Sequence, residues 1–305
     1  MVNSLIRHIS PYTPMSNKYP LVSICIPTYN GEAYIEEALT SAIEQDYPNL
    51  EIIVSDDDSK DNTVAIVKSY EEKTNIPIHI YRHQPKGIGA NWNHAVRQSN
   101  GEFIKFLFQD DALNPQCISK MMTLMNNPKV GLVYCKRDFI YKELTPKLED
   151  FISYYGELHQ YWEDFKVTQG VLDGKQYLKD RQFLNSPKNK IGEPTNVLLR
   201  TSCFERVGYF DEVLQQVLDS DYWYRVMPYY HIGFVNESLA HFRLHDQQAS
   251  SVNKQREIPD KDLVYRRYYK HLLRYLHPKN KLKLLKLYHP FFKFLVKIKR
   301  GFYAK

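Results

Sequence analysis

The sequence predicts an α/β fold built on a mostly parallel central sheet. Three observations carry this. Between residues 21 and 135 short apolar runs alternate with longer amphipathic stretches; the apolar runs end in polar turns rich in Asp, Asn and Gly; and 305 residues suffice to bury a large core. In open sheets of this kind, ligands bind beyond the carboxyl ends of the strands, so the turns after the strands are the first place to look for a site.

The expected strands are residues 22–26, 51–54, 78–81, 103–108 and 130–135, with helices over 32–45, 61–72, 89–98 and 115–125 between them. Asp61 is placed to cap the second helix, and Pro77 marks the return toward the third strand. Residues 136–190 have weak periodicity and many aromatics, including Tyr154, Tyr155, Tyr161 and Trp162, as an acceptor-side insertion would. A second ordered block covers 192–245. A polar link at 247–253 leads to a tail with helices expected near 262–276 and 279–298, the latter interrupted at Pro290. The reading divides the chain into an extension (1–20), a catalytic domain (21–246, with halves 21–135 and 136–246) and a basic helical tail (254–305).

Composition narrows the class. Cys25, Cys117, Cys135 and Cys203 show no CxxC spacing and read as reduced core residues rather than a zinc site or a disulfide framework. The first twenty residues hold Pro11, Pro14 and Pro20 and no apolar signal-like run, so a cytosolic location is expected. No stretch of 18 apolar residues suits a membrane-spanning helix. The net charge of +6 is uneven: residues 254–305 hold 16 lysines and arginines against three acids, which leaves the tail at +13 and the remainder at −7. That division argues against a uniformly basic nucleic-acid binder and for a separate role of the tail. Its mixture of cations with Leu, Phe, Ile and Tyr suits an amphipathic helix on an anionic membrane, with a helical cover packed on the domain and a nucleic-acid contact as rival readings.

Three turns carry the chemistry. The first follows the strand ending at Pro27, where Tyr29 and an Asn30-Gly31 turn offer a ring to stack on a nucleobase. The second, Ser55-Asp56-Asp57-Asp58-Ser59, sets carboxylates at a strand end, where Asp56 and Asp57 can accept hydrogen bonds from a base or ribose and Asp58 makes the turn. The third, Gln109-Asp110-Asp111, follows an apolar strand; its oxygens suit Mg²⁺ or Mn²⁺ bridging a diphosphate, although Asp111 alone is also explained as a helix cap.

Taken with GIGANWNHAV at 87–96, which contains Asn91, and GEFIKFLFQDD at 101–111, these motifs resemble family-2 glycosyltransferases of the GT-A fold, non-processive and inverting, over about residues 20–245. The resemblance implies that Pro27, Tyr29, Asn30, Asp56, Asp57, Asn91, Asp110 and Asp111 line the donor site. It also implies that Asp110 holds Mn²⁺ or Mg²⁺, with His245 near the metal or diphosphate and Arg243 beside it. Within VLDSDYWYR, Asp219 matches the family's catalytic base, while Asp221 and Arg225 at i, i+4 also read as a structural ion pair and Trp223 as core. One departure stands out: Phe108 occupies the place of the first acid in the usual Asp-x-Asp pattern, and neutral Gln109 does not replace it. The expected activity is transfer of a hexose or N-acetylhexosamine, from a UDP-sugar, to a glycan or lipid-linked saccharide. The rival readings are a catalytically silent GT-A scaffold, which Phe108 keeps open, and a sugar nucleotidyltransferase, which would need a Gly-rich basic loop that PTYNG lacks.

Overall fold

The computed structural model describes residues 19–246, 248 and 258–295. Most of the expected extension, the polar link and the end of the second tail helix lie outside the described residues. One nine-stranded sheet organises the chain. Its first part is all parallel in the order β3 (Ile78–Arg82), β2 (Leu50–Asp56), β1 (Val22–Thr28), β4 (Phe103–Phe106). Next to β4 comes β8 (Val197–Arg200), antiparallel to β4 and to β6 (Val130–Ile140). The long β9 (His231–Arg243) runs parallel to β6, with β5 (Ala112–Leu113) and β7 (Gly170–Asp173) antiparallel against it. The first four strands are therefore parallel as expected, and every antiparallel pair involves β8 or β9. The boundary drawn at 135 falls inside β6.

Alternation along the strands sorts the core into two layers. Val22, Ile24 and Ile26 of β1, with Ile52 and Val54 of β2, pack against α1 (Ile35–Ile43) and α4 (Cys117–Met125). Cys25, Ile53, Ile104 and Phe106 point the other way, toward α3 (Ile88–Gln98) and α8 (Leu218–Val226). Helix α2 (Thr63–Tyr70) starts where the Asp61 carboxylate takes the Thr63 N–H at 3.0 Å. Many of the tyrosines are core rather than surface residues: Tyr134, Tyr177, Tyr222 and Tyr224 are all buried.

Two expectations change. Pro27 does not end its strand. Cys25 bonds toward β4 through Leu107 and Thr28 bonds toward β2 through Asp57, so Pro27 faces the β4 side beyond that strand's last residue, Phe106, where no ladder N–H is needed. Nor is the start of the tail a separate element. Helix α9 (Asp260–Arg267), the π-helical turn Tyr268–Leu272 and α10 (Pro278–Tyr288) bury Val264, Tyr265, Tyr268, Leu272 and Leu284 in the core layer of α8. At roughly 1.5–3 kcal/mol per buried side chain this is integral packing. Exposed apolar residues gather farther out: Leu282, Leu287, Phe291, Phe294 and Leu295. Among the described residues no helix is long and apolar enough to cross a membrane.

Candidate active site

The turns after β1, β2 and β4 lock together above the strand ends. Gln109 uses both ends of its amide on the Tyr29 backbone, accepting from Tyr29 N at 2.9 Å and donating to Tyr29 O at 3.1 Å. Gly31 permits this approach, since a Cβ there would lie 2.3 Å from Gln109 Oε1. Asn30, at φ 47°, donates its N–H to Ser59 Oγ (2.9 Å) and accepts the Lys60 N–H on Oδ1 (2.8 Å). With these backbones fixed, the Tyr29 ring stays 53% exposed and available to a planar ligand.

The three consecutive acids after β2 have different surroundings. Asp56 is fully buried and accepts from Thr28 Oγ1 (2.9 Å), Ser59 N (3.0 Å) and Ser59 Oγ, so it builds the turn. Asp58 adopts φ 60°, in the left-handed region, held by Lys60 and by Arg82 at 3.1 Å. Asp57 lies beside His83, with Oδ1 3.5 Å from Nδ1, and burial lifts its carboxyl above the ordinary range while His83 opposes the shift. His83, which the sequence reading missed, in turn contacts Asn91 Oδ1 at 3.2 Å. Asn91 is buried and donates to Thr28 O at 3.1 Å, so it braces the β1 turn and His83 rather than lining an open surface. Pro27 is likewise buried within β1.

At the other end of the site Asp110 Oδ2 lies 2.9 Å from His245 Nε2. One carboxylate and one imidazole form a donor set that Mn²⁺ or Mg²⁺ accepts when diphosphate and water oxygens fill the remaining positions. Among the described residues no cluster of three His, Cys, Asp or Glu side chains completes a metal cage. Asp111 does not join them. It is buried, accepts from Thr195 Oγ1 (2.6 Å) and Arg243 N (3.0 Å), and burial together with Asp110 holds its carboxyl well above the ordinary range. Through these two bonds Asp111 fastens the β4–β5 turn to the segment before β8 and to the end of β9. Arg243 adds a bond to Asp110 O at 2.8 Å and pairs with Glu37. Phe108 packs on Trp92 at 5.0 Å between ring centroids, so an aromatic contact occupies the place of the usual first acid.

Asp219 sits in the first turn of α8, half-buried. Its carboxylate accepts from Ser220 N (2.6 Å) and from Asn189 Nδ2 (2.8 Å). Burial nevertheless pushes its pKa up to about 7, with Glu193 adding to the rise and the two hydrogen bonds opposing it. Asp221 is fully buried between Arg225 and Arg267, each at 2.9 Å, and Trp223 donates to Gly192 O at 3.1 Å within the core; the structural roles open to these residues are the ones observed. The segment before β8 ties the two ends together. Asn189 holds Asp219, Glu193 pairs with Arg137 at 3.0 Å, and Thr195 holds Asp111. The signal for it was Pro187, Gly192 and Pro194 crowded just before an apolar strand.

The model of glycosyl transferase family 2 matches residues 23–208. The chain belongs to that family. It is 30% identical over 234 residues to an uncharacterised glycosyltransferase of Rickettsia typhi, covering 76% of this chain and 66%, just under two thirds, of that relative. A segment of 98 residues is 39% identical to the poly(ribitol-phosphate) beta-N-acetylglucosaminyltransferase TarS of Staphylococcus aureus, covering 32% of this chain and 17% of TarS. The crystal structure of TarS 1–349 in complex with UDP-GlcNAc superposes with a TM-score of 0.65 at 22% identity, over 88% of this chain and 71% of that one. A mannosyltransferase of Pyrobaculum calidifontis in complex with GDP-Man and Mn²⁺ gives 0.56 at 18% identity, over 97% and 84%. The fold of this family-2 chain is GT-A.

Proposed function

We propose that this family-2 chain is an inverting glycosyltransferase that moves a sugar from a UDP-hexose or UDP-N-acetylhexosamine to a hydroxyl of a glycan or lipid-linked saccharide. The observation that carries the reading is the Asp219 carboxylate, held by Asn189 of the same segment that fastens the Asp110 turn, with burial pushing its pKa up to about 7. A base poised there takes the proton of the acceptor hydroxyl as its oxygen attacks the anomeric carbon. The bond from that carbon to the diphosphate oxygen breaks on the opposite face, so configuration inverts, the nucleoside diphosphate leaves with the bonding pair, and the proton stays on Asp219. No covalent sugar–enzyme intermediate is needed.

Tyr29 and Asp57 would receive the nucleoside, by stacking and by accepting from the base, with His83 and Asn91 behind Asp57. The UDP-GlcNAc complex of the structurally similar TarS supports a uridine donor. Asp110 and His245 would hold Mn²⁺ or Mg²⁺, whose chemistry is to neutralise charge on the departing diphosphate. The acceptor side is assigned to the second half of the sheet around Asp219 and Glu193. The exposed Leu282, Leu287, Phe291 and Phe294, among Lys279, Lys286 and Lys293 and with no acid in residues 278–295, favour contact with an anionic membrane, on its cytoplasmic face.

The decisive experiment is a screen of UDP-, GDP- and dTDP-sugars with Mn²⁺ and Mg²⁺ for released nucleotide, alongside the Asp219→Asn variant. Turnover of a UDP-sugar by the wild type and none by the variant is expected. Release of nucleotide at equal rates by both proteins would refute the assignment of the base, and failure of every donor would refute the activity.

A further inference from the structure

Asp260 opens α9 and is almost wholly buried, 4% exposed. Its carboxylate accepts three consecutive backbone N–H groups, from Gln215 at 3.0 Å, Gln216 at 2.7 Å and Val217 at 3.2 Å. These residues lead directly into α8, and the Val217 carbonyl takes the first bond of that helix, from Asp221 N at 3.0 Å. Asp219 lies in the turn so closed. The same carboxyl-terminal segment grips α8 again through Arg267, which reaches Asp221 at 2.9 Å and also pairs with Asp211.

It also reaches the other support of the base. Lys188, next to the Asn189 that donates to Asp219, bonds Tyr265 Oη through Nζ at 2.8 Å. Tyr265 Oη donates to Leu184 O at 2.9 Å, and Tyr224 of α8 donates to Lys188 O at 2.6 Å. Both arms that fix the Asp219 carboxylate, the entry to α8 and the loop before β8, therefore rest on residues that follow 258. All of them lie beyond the part of the chain that the family model matches, which ends at 208.

We infer that the segment beginning at Asp260 belongs to the catalytic machinery, with Asp260 a positioning residue that sets Asp219 through the entry to α8. The inference rests on Asp219 being the base. A carboxylate gathering three successive N–H groups fixes both the direction and the depth of the chain entering the helix. Movement of the entry by an ångström would misplace a group that must meet an acceptor hydroxyl within hydrogen-bond reach, a loss on the order of 100-fold in rate.

The test uses the full chain with Asp260→Ala, Asp260→Glu and Asp260→Asn, with Asp219→Asn in parallel. The readouts are kcat with the best nucleotide sugar and UDP affinity by calorimetry. Asp260→Ala and Asp260→Glu, the latter keeping the charge but displacing the oxygens, are expected to lower kcat at least about tenfold and to leave UDP affinity within about twofold. Asp260→Asn, which keeps one acceptor oxygen in place, should recover most of the rate. A cap that only stabilises the fold would lower the melting temperature without this split between kcat and UDP binding. Wild-type kcat in Asp260→Glu, with Asp219→Asn inactive, overturns the positioning role and leaves the base in place; the Glu variant decides the matter if the Ala variant does not fold. Full activity in Asp219→Asn removes the base assignment and the inference with it.

Discussion

Asp110 Oδ2 and His245 Nε2 lie 2.9 Å apart although 135 residues separate them in sequence. The contact joins the turn after β4 to the end of β9, and it leaves a carboxylate and an imidazole side by side at the rim of the sheet. With Phe108 in place of the usual acid, these two side chains carry the proposed cation site. Asp110→Ala and His245→Ala are each expected to weaken Mn²⁺-dependent UDP binding by about tenfold or more, about 1.4 kcal/mol. Calorimetry with Mn²⁺ and with EDTA makes the comparison, and an unchanged affinity in Asp110→Ala would show the cation bound elsewhere.

The pH dependence follows from the surroundings of Asp219. As the proposed base, Asp219 would work unprotonated, and burial pushes its pKa up to about 7, so kcat/KM should fall about tenfold per unit below that pH and level off above it. Asn189 stabilises the charged form, and Glu193 opposes it. Asn189→Ala should therefore move the midpoint to higher pH, and Glu193→Gln to lower pH. Profiles for the three proteins test the sign, and displacement of both variants in one direction would contradict the electrostatic account.

Phe108→Asp would restore the familiar acidic pattern at the expense of packing. The Trp92 ring loses its neighbour at 5.0 Å, a cost of about 2 kcal/mol or more for a partly buried ring. A lower melting temperature, by several degrees, is expected together with tighter Mn²⁺ binding; thermal melts and metal titration read the two effects separately. Tighter binding without destabilisation would mean that the Phe108–Trp92 contact contributes little.

Much of the parallel half was legible because its signals are local. Alternating apolar runs located β1 to β4, and the expected boundaries moved by only a few residues. The polar turns also marked the strand ends where the ligand is proposed to bind. Distinguishing Asp110 from Asp111 was beyond the sequence, because adjacent acids look alike until Thr195, in the turn before β8, and the Arg243 N–H, at the end of β9, claim the second one. Asn189 and Asp260 were missed for the same reason: each acts across a fold that brings distant segments together, and neither has a period or spacing to announce it.

The tail calls for two measurements. Phe291→Ser with Phe294→Ser should reduce sedimentation with vesicles of phosphatidylcholine and phosphatidylserine by about tenfold and leave the melting temperature unchanged, since both rings are exposed, 58% and 60%. Arg267→Ala should do the reverse, because it strips buried Asp221 of one of its two cationic partners, a loss of about 3 kcal/mol. Equal vesicle binding by the double variant and wild type would leave the outer tail as a cover only.

Strand β8 runs against both of its neighbours and is hydrogen-bonded to each, β4 on one side and β6 on the other. It works as a rivet through the middle of the molecule. Two lobes joined by a linker can hinge shut over a substrate, but two halves sharing a continuous ladder cannot swing without breaking it. The strands that carry the proposed donor turns and those of the second half are thus set relative to one another when the chain folds, and closing over the proposed donor would fall to surface segments. One such piece is α5 (Pro146–Tyr155), a helix with no buried residue, tied down by Arg137 through Tyr155 O at 3.1 Å.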